Sequence, residues 1–363
     1  MKIKALLFFS FLVQFCFSNM ASPIVEGSKN ASALSSKNVT ILHENIFVHI
    51  NNDFKTAKYT IEYTIKNDVA GAQIPLLFLA LEYRDNFTVW LDGKKINTQN
   101  IPNYIIHTGN SQFKDFTNSF PESIDGNAYI PISWQSNNTS LYNLDDLKYF
   151  EANLLKGEHK IKVEYTANVW VDNSNWVKEY SFRYSLIPAK YWKSFGSLHI
   201  TVFQDGEVKA LYTNLGNPLE GKFDKMATWK FNSLPSDTFN IIYKPEISET
   251  AKVLVAIEPF GIMFLFGLLL MLVHSYFDYW FRQKDGVKKI SWIVILGSFI
   301  VPYLMLHSYF LAYDLIDNAI GDHASKHHGY YFLILFWYPV LVAVYLFIMW
   351  IIDLIIKSKF INK

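Results

Sequence analysis

The stretch Lys58-Tyr-Thr-Ile-Glu-Tyr-Thr-Ile-Lys66 decides how the larger part of this chain folds. Tyr59, Ile61, Tyr63 and Ile65 alternate strictly with Lys58, Thr60, Glu62, Thr64 and Lys66. Successive side chains of an extended backbone point to opposite faces, so a period of two predicts a strand with one buried face. The pattern recurs in residues 159–167, 179–187 and 196–204, and more weakly in 39–50, 73–83 and 238–243. Residues 87–91 run into Asp92-Gly93, a pair that favours a tight two-residue hairpin. Short strands at this spacing, without a long helical period between them, predict a mainly β domain over residues 38–245, an antiparallel β-sandwich built as one sandwich or two. Residues 100–150 lack the alternation and predict a long loop or a small subdomain.

The C-terminal third reads differently. Residues 253–273 are apolar except for Glu258, residues 290–311 are largely apolar with His307 among them, and residues 331–352 carry no charge. Each run is long enough, at about 1.5 Å per helical residue, to cross a hydrocarbon layer of about 30 Å. They predict an all-α, three-helix transmembrane region with helices at 253–277, 290–313 and 331–355. Arg282, Lys284, Lys288 and Lys289 follow the first run and Lys357, Lys359 and Lys363 follow the third, whereas the 316–330 loop has Lys326 alone. Cationic loops stay in the cytoplasm, which places that loop on the outer face and the C-terminus inside. Two lysines, an apolar core over residues 5–17 and small residues around Ser18 have the layout of a signal peptide, residues 1–18, followed by a Ser-, Ala- and Asn-rich lead-in, 19–37. Export of residues 19–250 and one crossing back to Arg282 agree with the charge rule. The expectation is a multi-pass protein of a bacterial inner membrane with an extracytoplasmic domain.

Composition narrows the chemistry. Among 363 residues Cys16 is the only cysteine, so a chain cleaved after residue 18 has no disulfide, thiol nucleophile or thiolate metal site. A net charge of +1 with no basic run gives no nucleic-acid footprint. The segments Tyr63-TIK-Asn67, Tyr184-SLIPAKY-Trp192 and Phe195-GSLHIT-Val202 together resemble bacterial families that join an exported β-sandwich to C-terminal membrane helices. That resemblance implies the architecture and brings no activity with it.

Two near-motifs fail on spacing. His43 and His49 are six positions apart in a strand-like segment, whereas the zincin helix needs histidines four apart. Residues 216–222 match a phosphate loop until Phe223 stands where a magnesium-binding hydroxyl belongs. The aromatic run Trp170, Trp176, Tyr180, Phe182, Tyr184, Tyr191 and Trp192 offers flat faces for sugar rings, although alternation assigns much of it to the core. The densest set of metal-ligand types lies at the outer face. His323 and His327 share a side if their segment is helical, and His307 and Asp314 share one face of the second helix with Tyr303. Glu258 sits near the outer end of the first helix. Ionisable groups within a span are functional candidates by default.

The reading is therefore a membrane-anchored extracytoplasmic binding or envelope-assembly protein, no enzyme and without cofactor, in contact with membrane lipid. Gly261, Gly267 and Gly297 suggest helices that dock a membrane or envelope partner. The alternative is a membrane-embedded hydrolase holding zinc or another divalent metal at Glu258, His307, Asp314, His323 and His327.

Overall fold

The computed structural model describes residues 39–69, 72–100, 129–133, 139–206, 211–223, 225–285 and 290–361; the expected signal peptide and lead-in, and part of the irregular 100–150 segment, lie outside the described residues. The chain divides into two compact units, Met1–Trp170 with Ser181–Ile242 and Val171–Tyr180 with Tyr243–Lys363.

The described strands are β1 (Val39–Ile50), β2 (Thr56–Asn67), β3 (Ala72–Leu79), β4 (Tyr83–Leu91), β5 (Lys94–Ile96), β6 (Thr98–Asn100), β7 (Tyr129–Ser133), β8 (Thr139–Asn143), β9 (Leu147–Leu154), β10 (Gly157–Asn168), β11 (Trp170–Asp172), β12 (Glu179–Ser185), β13 (Ser194–Gln204), β14 (Leu211–Thr213), β15 (Glu220–Lys222), β16 (Met226–Phe231) and β17 (Thr238–Tyr243). An eight-stranded sheet runs β15-β16-β13-β1-β2-β10-β4-β5, beside sheets β11-β12-β17-β14, β3-β9-β6 and β7-β8. Pairing is antiparallel at the described junctions of the large sheet except between β1 and β13, which are parallel. That junction joins strands more than a hundred residues apart, so no hairpin dictates its direction.

The alternation of β2 is realised: Tyr59, Ile61 and Ile65 are buried while Lys58, Glu62 and Lys66 are exposed. Asp92 and Gly93 turn β4 into β5 with φ of 49° and 80°, the paired positive values that a twist-matched two-residue hairpin requires. The Asp92 carboxylate then accepts from the Lys160 N–H at 2.8 Å and pairs with His159 Nδ1 at 2.7 Å. In β1 a register shift between Ile41 and His43 changes the parity of the strand. Val39 and Ile41 are buried before it, and Glu44, Ile46, Val48 and Ile50 after it, so the bulge turns a glutamate into the core.

One face of the large sheet meets the smaller sheets through aromatic side chains. Phe54 packs on Phe182 at 5.0 Å between centroids, Phe78 on Tyr165 at 5.8 Å, and Trp229 on Phe239 at 6.3 Å. Tyr59 stacks on Tyr165 at 4.9 Å and its hydroxyl donates to the Arg183 carbonyl at 3.3 Å. The N-terminal region is thus β-rich.

In the second unit three helices among the described residues are long and apolar enough to cross a membrane: α1 (Glu249–Asp285), α2 (Trp292–Ile320) and α3 (Tyr338–Ile361). The protein is a membrane protein. Tyr331–Trp337, read from the sequence as the start of the third helix, is a 3-10 turn that leads into α3. Inside α1, Glu258 adopts φ 61° and ψ 163°. Pro259 follows it, and the proline ring drives the preceding residue out of the α region and removes one backbone donor, so the helix kinks there. The arm Val171–Tyr180 also belongs to this unit and pairs with the loop after α2. The Lys178 N–H donates to the His323 carbonyl at 2.8 Å and the Ser325 N–H to the Trp176 carbonyl at 3.0 Å.

Candidate functional site

The histidine loop is organised differently from the sequence expectation. A 3-10 turn, Gly321–His323, ends α2, and residues 324–328 are not helical. A spacing of four therefore does not stack His327 on His323. His327 is exposed, and His323 lies edge-on to Tyr180, whose hydroxyl is 3.4 Å from its Nδ1. His307 and Asp314 do share the continuous helix α2, but both are exposed, as is Glu258 at the kink. Among the described residues no three His, Cys, Asp or Glu side chains gather into a group that could hold an ion. The pair that forms is one the spacing did not suggest: His328 Nε2 lies 2.8 Å from Asp317 Oδ2, both nearly buried. Tyr313 and Trp176 pack on the His328 ring with centroids at 4.6 and 5.1 Å.

A larger polar network ties the helices together. His274, Asp278 and Arg282 repeat every four residues on one side of α1, and Tyr345, Met349, Asp353 and Lys357 do the same on α3. Arg282, fully buried, holds Asp353 through two bonds, Nε to Oδ1 at 2.7 Å and Nη2 to Oδ2 at 2.9 Å. Lys357 reaches the same carboxylate at 2.9 Å. The Ser291 hydroxyl, at the N-cap of α2, donates to Asp278 at 2.7 Å. His274 Nε2 donates to the Ile293 carbonyl at 2.9 Å, which leaves Nδ1 to accept from the Tyr345 hydroxyl at 3.0 Å. Gly297 makes room for that ring: a methyl group there would overlap the imidazole. Arg282, counted in the sequence as a loop charge, is committed to a buried ion pair. The four-residue spacing was visible, but the partners lie on helices whose pairing the sequence does not state.

In the β-rich unit, polar and aromatic side chains converge on a cleft of about 610 Å³. Glu82, in the turn before β4, is held at φ 56°, a backbone region that costs a non-glycine residue energy. Its carboxylate pairs with Arg183 of β12, and the Arg183 guanidinium lies over the Trp170 ring at 4.0 Å. Asp146 occupies a 3-10 turn (Leu144–Asp146) between β8 and β9, where its carboxylate accepts the Tyr83 N–H at 2.9 Å. Burial pushes the Asp146 carboxyl up to about 7, against the pull of that hydrogen bond. Tyr129 and Asn143, directly opposed in the β7–β8 hairpin, line the cleft with Tyr142. Ser185 closes it from β12; its Oγ is buried with no partner among the described residues, and the same holds for Arg183 Nε.

Ser185 also borders a smaller cavity of about 50 Å³, walled by Glu44, Tyr63 and Tyr184. The Tyr184 hydroxyl donates to Glu44 Oε1 at 2.9 Å and lies 2.8 Å from the Tyr63 hydroxyl. Burial pushes the Glu44 carboxyl up to about 7, with the two tyrosines drawing it part of the way back. Of the aromatic run noted in the sequence, Phe182 and Tyr184 are core and Trp170 lines the cleft, whereas Trp176 and Tyr180 serve the helical unit; the Tyr191 side chain lies outside the described residues.

No family model matches the sequence, and no curated protein matches it. Solved structures give distant likenesses. A putative nutrient binding protein from Legionella pneumophila aligns over 58% of this chain and 68% of its own at 13% identity and a TM-score of 0.36. The leukotriene A4 hydrolase of yeast aligns over 60% of this chain and 31% of its own at 10% identity and a TM-score of 0.34. An M1 zinc metallopeptidase from Deinococcus radiodurans aligns over 59% and 40% at 6% identity and a TM-score of 0.26.

Proposed function

We propose that this is a membrane-anchored extracytoplasmic binding protein: a β-sandwich held outside a bacterial inner membrane by three helices, with its C-terminus in the cytoplasm, serving envelope recognition or assembly. The observation that carries the reading is the cleft of about 610 Å³, in which a strained Glu82, an aromatic-stacked Arg183 and buried polar atoms without a partner among the described residues converge. Strained backbone at a concave polar site supports a functional reading. The aromatic contacts between sheet faces support the sandwich, and the charge asymmetry of the loops supports the orientation. The helices serve as anchor, locked by Arg282 and Asp353. Two of the three glycines that suggested a lateral partner are filled from within, Gly297 by His274 and Gly267 by Met305, so a membrane partner would meet the exposed apolar faces of α1 and α3.

A photo-crosslinking amino acid at Tyr142, beside the cleft, tests the reading in native membranes. It is expected to give an adduct with an envelope component. Recovery of the monomer alone, under conditions where a control crosslinker on a known binding protein reacts, defeats it. Orientation is tested with Asn217→Cys and Ser358→Cys, both exposed, and an impermeant maleimide on spheroplasts. Only the first is expected to label before permeabilisation.

A further inference from the structure

We propose that the cleft takes a neutral, hydroxyl-rich ligand, a short uncharged oligosaccharide. This rests on the binding-protein reading above and specifies what is bound. Among the described residues, the charged side chains lining the cleft are Glu82, Asp146 and Arg183, and Glu82 and Arg183 neutralise each other. A charged ligand would find no free counter-ion in that pair and would bring an uncompensated charge into a half-buried site. Asp146 adds less than a full negative charge, because burial pushes its carboxyl up to about 7 and leaves it only partly ionised near neutral pH.

What the lining offers is hydrogen bonding in both directions. Among the described residues Arg183 Nε is a donor without an acceptor, and the Oγ of Ser185, a residue only 7% exposed, can both donate and accept. Asn168 and Thr238 add amide and hydroxyl groups. Sugar hydroxyls are likewise donor and acceptor at once, so they can satisfy such a mixed set. An apolar ligand would leave those buried polar atoms unpaired and forfeit the hydrogen-bond energy. Trp170, one face of which carries the Arg183 guanidinium, lines the cleft with Tyr129 and Tyr142, and aromatic rings with polar edges suit the C–H faces of pyranose rings. The volume falls within the roughly 300–1,000 Å³ of small-molecule sites.

The test uses the full-length protein in detergent micelles, an array of neutral oligosaccharides (maltotetraose, cellotetraose, chitotetraose and their branched relatives), heparin and polygalacturonate as anionic counterparts, and a set of tetrapeptides. Binding of a neutral oligosaccharide is expected, weakened about tenfold or more by Trp170→Ala and roughly 3- to 10-fold by Ser185→Ala, the loss of one hydrogen bond. The melting temperature of Ser185→Ala should stay within a few degrees of wild type, so the loss is not one of folding. Binding of heparin, polygalacturonate or a peptide that depends on Trp170 would overturn the ligand class and leave the binding-protein reading in place. If no neutral oligosaccharide binds, the proposal fails. If, in addition, the crosslinker at Tyr142 returns only monomer, the functional reading falls with it.

Discussion

Glu44→Gln should stabilise the β-rich unit at alkaline pH and leave it almost unchanged in acid. Glu44 is buried in the core face of β1, and its carboxyl is pushed from 4.5 up to about 7 chiefly by loss of hydration. The folded state therefore holds the proton more tightly than the unfolded chain does. Its contribution to stability is complete below pH 4.5 and is lost as pH rises through 7. At 1.36 kcal/mol per unit, that shift amounts to about 3 kcal/mol across the window. Glutamine keeps the acceptor for Tyr184 and cannot ionise. The difference in stability between the Glu44→Gln variant and wild type should thus grow by about 3 kcal/mol from pH 4.5 to pH 8, or roughly 6–12 °C in melting temperature for a unit of this size. Asp146 titrates in the same direction and window, so the comparison is between the two proteins at each pH, in which its contribution cancels. The assay is thermal or urea unfolding of detergent-solubilised full-length protein, followed by the near-ultraviolet signal of the buried tyrosines. A difference that stays flat, or shrinks with pH, refutes the burial argument.

Two further outcomes follow from the helical unit. Arg282→Ala leaves Asp353 buried against Lys357 alone and should cost about 3–5 kcal/mol, read as loss of folded protein in mild detergent, whereas the double change Arg282→Met/Asp353→Leu should recover most of it; equal stability of the single variant and wild type would show that the pair does not bind the helices. Metal content of purified wild type and of His323→Ala/His327→Ala after the same chelator wash should be equal and at background, since these side chains do not converge with a third ligand among the described residues; near-stoichiometric zinc that disappears in the double variant would favour the hydrolase alternative.

What could be read from the sequence was local. Alternation in residues 58–66 reports which face of β2 is wet, the Asp92-Gly93 pair reports a hairpin, and three apolar runs report helices, because each signal lies within one element. The bulge that turns Glu44 inward is different. In the sequence, the change of parity after Ile41 looks like a weak strand, and only the partner strand shows it to be an extra residue. The same limit applies to function. The cleft draws on Glu82, Tyr129, Asp146, Trp170, Arg183 and Thr238, which belong to separate segments and acquire a common address only when the sheets form. Histidines crowded into one loop drew attention because they were close along the chain, yet among the described residues no three ligand types gather there, while His274, Asp278 and Arg282, spread over two turns of α1, are joined to Asp353 and Tyr345 more than sixty residues away. Density of ligand types along a sequence measures neither convergence nor burial. A four-residue polar repeat on an otherwise apolar helix carries more information, because each of its members must find a partner or face lipid.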